Sequence, residues 1–489
     1  MYTFLNTITI ISSYISLKVY FVKKNQIVTI QKFSKKGLGL GSFVHETLQK
    51  EIEVEVAHTV IGDEVEVEVL SKRKKTRKGR LLNVISYSKN RIDPPCEHVG
   101  ICGGCSWQQM DYTAQIQEKE RIIQNVFQNY ILQEGVQTFP IIKADPIFAY
   151  RNKMEFSFSE NRAGTKFLGL MIAQAASYVF NVHHCHLARS WVSKTLNAVR
   201  AWWESSSLSA YNHHDDTGHL RTLILREAFR SSEKLVLLTV SGNPQFALKK
   251  SNIESFLQCI KDTLPKEKVS VFIRVQQIKK NMPTQFFEMH LSGEPYITET
   301  FNLSTGSLAF KISPTSFFQP NTNQAEKLYQ KSLDLVDIDE SSVVYDLYAG
   351  TGTLGMAFSK RAKKVIGIEL NAHAVCDAKE NLELNNIKNM QMHQGDVGKV
   401  LVELISQKDF EKPGLVIVDP PRAGLDLLAV ENIRKLQPKQ ILYISCNPYT
   451  QKENIEQLSD MYQCKILQPI DQFPHTFHIE NIAVLSLKT

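Results

Sequence analysis

At 489 residues the chain is too long for one ordinary hydrophobic core, so two or three domains are expected. A hydrophobic fraction of 43% and a charged fraction of 22% are those of a soluble globular protein. The formal charge of +7 is mild, and eight cysteines in so long a chain exclude a disulfide scaffold and point to a reducing cytoplasm.

Residues 1–21, MYTFLNTITIISSYISLKVYF, are apolar with Lys18 as their one charge. They lack the basic start and small-residue cleavage site of a signal peptide, and carry too many Thr, Asn and Ser for a membrane span. They read as an extension from a misassigned start codon; no methionine lies between Met1 and Met110, so the expected true start uses an alternative codon. Gln26 to Gln31, Glu51 to Glu55 and Asp63 to Leu70 alternate as strands do, and the glycines of KGLGLGSF, 36–43, are expected to supply turns. Residues 23–85 thus read as a small β-barrel. It ends near the basic run 71–80, SKRKKTRKGR, which is a solvated loop or a contact for nucleic-acid phosphates.

Asp93-Pro94-Pro95 marks a boundary. Beyond it Cys96, Cys102 and Cys105 share one glycine-rich loop, CEHVGICGGC, with Cys185 of VHHCHL as the expected fourth ligand of a metal centre. Four thiolates suit zinc and an iron–sulfur cluster equally, and His98, His183, His184 and His186 permit mixed zinc ligation. Apolar residues recur at helical spacing near 112–132. The rest of the segment 86–310 mixes strands, such as 220–229 and 235–242, with polar loops, as a mixed α+β domain does. Arg151 and Lys153 read as solvated surface charges. From about residue 340 strands and helices alternate: SVVYDL, KKVIGIEL, MQMHQGD, GLVIVDP, KQILYIS and ENIAVLSL are the expected strands. This is the pattern of an open, mostly parallel, Rossmann-like α/β sheet spanning 311–489.

The first of those strands runs into DLYAGTGTLG, whose Gly350, Gly352 and Gly355 allow a sharp turn and close approach of a ligand. The spacing also matches the dinucleotide fingerprint, so it does not choose between NAD and S-adenosylmethionine. Glu369 ends the second strand, where an acid accepts from ribose hydroxyls, and Asp396 ends the third, within reach of an adenine edge.

The choice comes from Asp419-Pro420-Pro421-Arg422 and Ser445-Cys446-Asn447-Pro448, each following an apolar strand. A cysteine inside a strand is ordinarily inert packing; Cys446 sits where a strand breaks into a turn, exposed and near backbone dipoles that favour its thiolate. A thiolate suits one difficult methylation. Carbon 5 of uracil is a weak nucleophile until a thiolate adds to carbon 6 and makes carbon 5 the nucleophilic end of an enolate. A base must then take the hydrogen from carbon 5, and Glu480 in FPHTFHIENIAVL is the candidate.

DLYAGTGTLG, IVDPPRAGLD, YISCNP and HTFHIENIAVL, in this order, together with FFQPNTNQAEKLY at 317–329, resemble the RNA uracil-5-methyltransferase family. The resemblance implies a class I S-adenosylmethionine-dependent methyltransferase domain, with Cys446 as nucleophile and Glu480 as base. It implies cofactor contacts from Gln319, Tyr348, Glu369 and Asp419, with Asp396 beside them; Thr353 stands where some members carry Asn. His475 and His478 flank the base, to polarise it or to hold structure. By resemblance to the ribosomal RNA branch, the barrel is a TRAM (OB-like) domain and Cys96, Cys102, Cys105 and Cys185 hold a [4Fe–4S] cluster rather than zinc. The same resemblance implies a monomer, with no membrane, acting on 23S ribosomal RNA or an assembly intermediate, with transfer RNA as the alternative target. Cytosine-5 methylation would need a cysteine after the proline of DPPR, and amino-group methylation an aromatic residue in place of Arg422. A non-catalytic ribosome-assembly factor would have no use for Cys446 and Glu480.

Overall fold

The computed structural model describes residues 25–45, 49–70, 76–173, 175, 178–278 and 282–488. Residues 1–21 and the Lys72, Arg73, Lys74 and Lys75 of the basic run lie outside them. The chain divides after Arg91 into two compact units.

In the first unit, β1 (Asn25–Thr29), β2 (Lys32–Phe33), β3 (Gly39–His45), β4 (Lys50–Val56), β5 (Glu64–Val69) and β6 (Thr76–Ser86) pair in the order β1-β5-β6-β4-β3-β2. The Glu/Val alternation of β4 and β5 turns Val54, Val56, Val65 and Val67 into a fully buried core. Where β1 runs on into β2 the chain changes partner from β5 to β3, with Gln31 N donating to Leu40 O at 2.9 Å, and this closes the barrel. The glycines expected to make turns divide: Gly37 does, at φ 71°, but Gly39 and Gly41 lie inside β3. A Cβ on Gly39 would meet Thr59 Oγ1 at 2.1 Å, so close packing excludes a side chain there. Residues 76–80 of the basic run form strand rather than loop, and Arg80 pairs with the buried Glu68.

The second unit holds two large sheets. β8 (Lys153–Glu160), β9 (Lys166–Met171), β10 (Val179–Asn181), β11 (Leu220–Glu227), β12 (Lys234–Ser241), β13 (Val269–Gln277) and β14 (Gln285–Ser292) form one, in the order β10-β9-β8-β11-β12-β13-β14. The helices Ser190–Glu204 and Lys250–Thr263 bury Leu196, Trp203 and Phe256 with Phe156, Leu225, Leu238 and Val271 of this sheet. The hairpin of β15 (Ile297–Leu303) and β16 (Gly306–Ile312) follows.

The other sheet contains β17 (Val343–Leu347), β18 (Lys364–Glu369), β19 (Met390–Gln394), β20 (Leu415–Val418), β21 (Gln440–Ser445), β22 (Tyr462–Ile470) and β23 (Glu480–Leu487). With β7 (Gln137–Thr138) at its edge, its order is β19-β18-β17-β20-β21-β23-β22-β7. β17 to β21 are parallel, and β23 is reversed between β21 and β22. The order reverses direction at β17 and β20, so their carboxyl ends flank the crevice in which such sheets bind ligands. β22 was not among the expected strands, because a bulge at Cys464/Ile466 breaks its alternation. The helix expected near 112–132 is two, Tyr112–Val126 and Gln128–Glu134, joined at Phe127. Ile123, Phe127 and Tyr130 pack with Tyr462 and Leu467, so this segment joins the core of the catalytic sheet.

Candidate active site

At the end of β17 the chain makes a tight turn in which Tyr348 (φ 64°), Gly350 (φ 56°) and Gly352 (φ 72°) take left-handed conformations. The helix Thr353–Ser359 starts immediately after. The turn walls a cleft lined by Gln319, Tyr348, Gly350, Thr353, Asp346 and Asp419 among others. Gly350 faces open space, so the cleft is bounded there by bare backbone. Glu369 lies behind the turn and fixes it: Oε2 accepts from Gly350 N at 2.9 Å and Oε1 from Asn371 N at 2.8 Å. Asp346 accepts from Gly355 N at 2.9 Å, yet burial pushes its carboxyl up to about 7, and burial does the same to Asp419. Thr353 Oγ1 is 2.7 Å from Tyr329 OH. Asp396 caps the helix Val397–Ile405, accepting from Lys399 N at 3.2 Å, and does not line the cleft.

The opposite wall is held by a residue without a sequence signal. Asn152 Nδ2 donates to Gln319 O at 2.8 Å and to Thr322 Oγ1 at 3.0 Å, and Asn152 N donates to Pro320 O at 2.9 Å. A buried asparagine between two charged neighbours is visible in the sequence, but its partners are 167 and 170 residues away.

The chemistry-bearing motifs meet beside this cleft. Cys446 follows β21 and precedes the helix Pro448–Leu458, whose cap Asn447 accepts from Tyr449 N at 3.2 Å. Asn447 Nδ2 and Thr450 Oγ1 donate to Arg422 O at 3.1 and 3.3 Å, tying the SCNP turn to the DPPR loop. Glu480 is the first residue of β23 and only 6% exposed. Burial, and secondarily Asp419, lift its carboxyl well above the usual carboxylate range, against the pull of Arg422. Burial and then the Glu480 carboxylate push the Cys446 thiol up to about 11, while the Arg422 side chain beside it opposes the rise. Asp419, Arg422, Cys446 and Glu480 therefore share one electrostatic field.

Arg422 also donates to His478 Nδ1, and burial followed by Arg422 pushes that ring down to about 4, so it is neutral. His475 is a clasp for the loop ahead of Glu480. It takes φ 65°, its N donates to Gln115 Oε1 at 2.9 Å, its O accepts from Trp107 N at 3.0 Å, and its ring stacks on Phe148 at 4.3 Å.

Cys96, Cys102, Cys105 and Cys185 line a second cavity. Burial raises all four thiols, Cys105 to about 12. Among the described residues no three His, Cys, Asp or Glu side chains are arranged to hold a metal ion. Arg151, expected on the surface, lines this cavity. Burial also lowers Lys153.

A sequence model of the tRNA (uracil-5-)-methyltransferase family matches residues 253–488. An uncharacterized RNA methyltransferase of Protochlamydia amoebophila is 48% identical over 444 residues, covering 89% of this chain and 100% of the relative. The chain belongs to the RNA uracil-5-methyltransferase family. An uncharacterized RNA methyltransferase of Chlamydia trachomatis is 35% identical, covering 80% of this chain and 97% of the relative. A solved structure, Pyrococcus abyssi tRNA (uracil-54, C5)-methyltransferase in complex with S-adenosyl-L-homocysteine, shares the fold. Its TM-score is 0.70 at 23% identity, covering 94% of this chain and 100% of that one. This RNA methyltransferase has the expected methyltransferase sheet, with an N-terminal barrel and mixed α/β sheets. Among the described residues no helix is long and apolar enough to cross a membrane.

Proposed function

We propose that this methyltransferase modifies carbon 5 of a uracil in 23S ribosomal RNA through a covalent bond between Cys446 and carbon 6. The observation that carries the reading is the convergence of Cys446, Glu480, Asp419 and Arg422 beside the cleft walled by the glycine turn. S-adenosylmethionine, when bound, supplies an electrophilic methyl group. Gln319, Tyr348 and Asp419, which line the cleft, would hold it; Glu369 holds the turn, and Asp396, off the lining, is the remaining candidate.

The Cys446 sulfur forms a bond to carbon 6 while the C5–C6 π electrons move toward O4 as an enolate. Arg422 is the cation that favours the thiolate, because its charge alone opposes burial and the two carboxylates. After carbon 5 has been methylated, Glu480 takes the proton from carbon 5, the C5–C6 double bond re-forms and the thiolate leaves. Burial of Glu480 raises its basicity for that step.

Segment 23–85 supplies RNA affinity as a TRAM-like barrel, 86–310 carries the cysteine centre and 311–489 the chemistry, in a cytoplasmic monomer. The donor set is chemically that of a [4Fe–4S] cluster, four half-buried thiols lining one cavity, with zinc as the alternative. Methyl transfer needs no electron, so the centre is structural. Transfer RNA is the second reading of the substrate, favoured by the family name that matches 253–488 and by the activity of the Pyrococcus abyssi protein.

The test uses RNA carrying 5-fluorouracil at the target, where fluorine blocks the base-catalysed step. A denaturation-resistant protein–RNA adduct at Cys446, formed with 23S rRNA fragments and S-adenosylmethionine, is expected. Trapping only on transfer RNA moves the substrate to the second reading, and no adduct on either RNA refutes the mechanism.

A further inference from the structure

Four thiolates around a dication, whether zinc or an oxidised [4Fe–4S] core, leave a double negative charge that a buried site must neutralise. Among the described residues the cavity lined by the four cysteines has one lysine or arginine in its lining, Arg151, and no carboxylate. Arg151 Nε is buried and has no hydrogen-bond partner among the described residues. A buried guanidinium nitrogen without an acceptor is costly, and a sulfur of a thiolate ligand would relieve it. The backbone fixes Arg151 against the loop that brings Cys185, because Arg151 N donates to Leu187 O and Ala149 N to His186 O, each at 2.8 Å.

We propose that Arg151 is the counter-cation of the metal group held by Cys96, Cys102, Cys105 and Cys185 and is what keeps that group bound. The proposal rests on the reading of the cysteines as a metal centre, and it applies to cluster and zinc alike. Arg151 was expected to be solvated surface charge; its position assigns it to the lining of the cysteine site instead.

The test purifies the full chain anaerobically, measures its iron, sulfide and zinc, and follows the rate at which metal passes to a chromogenic chelator (ferrozine for iron, pyridylazoresorcinol for zinc). Arg151→Met should release metal roughly tenfold faster or more, the factor that a charge-assisted hydrogen bond supplies. Arg151→Lys, which keeps the charge, should stay near the native rate. Arg151→Gln replaces the Met variant should that chain not fold. Release at the native rate from the neutral variants, or equally fast release from Arg151→Lys, overturns the proposal while leaving the metal centre intact. A native chain with neither iron nor zinc overturns the reading of the cysteines, and the counter-cation with it.

Discussion

Lys119→Met should destabilise the protein through a group far from the chemistry in sequence. Lys119 Nζ donates to Asp471 Oδ1 at 2.6 Å and to Phe473 O at 3.2 Å, and both ionised side chains are fully buried. Burial pulls the lysine down, and Asp471 is what opposes it. Asp471 Oδ2 accepts from Tyr112 OH at 2.8 Å, so the substitution leaves a buried carboxylate with one neutral donor. Breaking one side of such a pair costs about 3–5 kcal/mol, and the surviving tyrosine favours the lower end, about 3 kcal/mol. Replacing both partners, Lys119→Met with Asp471→Leu, should recover much of that loss, because no uncompensated charge remains. Urea titrations of native, single and double variants at one pH would give the coupling. A Lys119→Met loss below about 1 kcal/mol, or a double variant whose loss is the sum of the singles, would refute the reasoning.

Glu480→Gln should slow turnover by ~10²–10⁴-fold and accumulate a methylated, denaturation-resistant adduct on ordinary RNA, seen on denaturing gels; normal turnover would move the base elsewhere. Asn152→Ala removes two hydrogen bonds to the Gln319 wall, so S-adenosylhomocysteine should bind about tenfold more weakly by calorimetry. Unchanged affinity would show that the wall stands without it. In the free protein the thiol of Cys446 is raised, so the thiolate gains as pH rises toward about 11. Its alkylation by iodoacetamide, read on the Cys446 peptide by mass spectrometry, should climb through alkaline pH, and Arg422→Gln should move the limb higher. A plateau below pH ~8 would contradict the raised thiol.

The catalytic sheet was legible because its strands are short apolar runs ending in Asp346, Glu369, Asp419 and Cys446, and buried parallel strands advertise themselves. The proposed nucleophile, Cys446, and the proposed base, Glu480, stand at strand ends, where spacing and residue type both speak. What stayed hidden depends on partners remote in the chain. Asn152 and Arg151 serve different sites from adjacent positions, and nothing local told that Arg151, read with Lys153 as surface charge, lines a cavity or that Asn152 between them holds a wall. Arg422 counted only as an argument against amino-group methylation; its place against Cys446 needs the fold of two loops. Gly39 and Gly41 looked like turn residues, because sequence does not separate a glycine needed for φ from one needed for close packing. β22 was missed because its bulge spoils the period of two on which strand reading rests.

The most direct test of the central claim is the release of tritium from RNA labelled at carbon 5 of uracil, followed together with methyl incorporation from S-adenosylmethionine. The account predicts one tritium lost for each methyl gained, and neither event with Cys446→Ala. Methyl incorporation without tritium loss, or activity that survives Cys446→Ala, would contradict it.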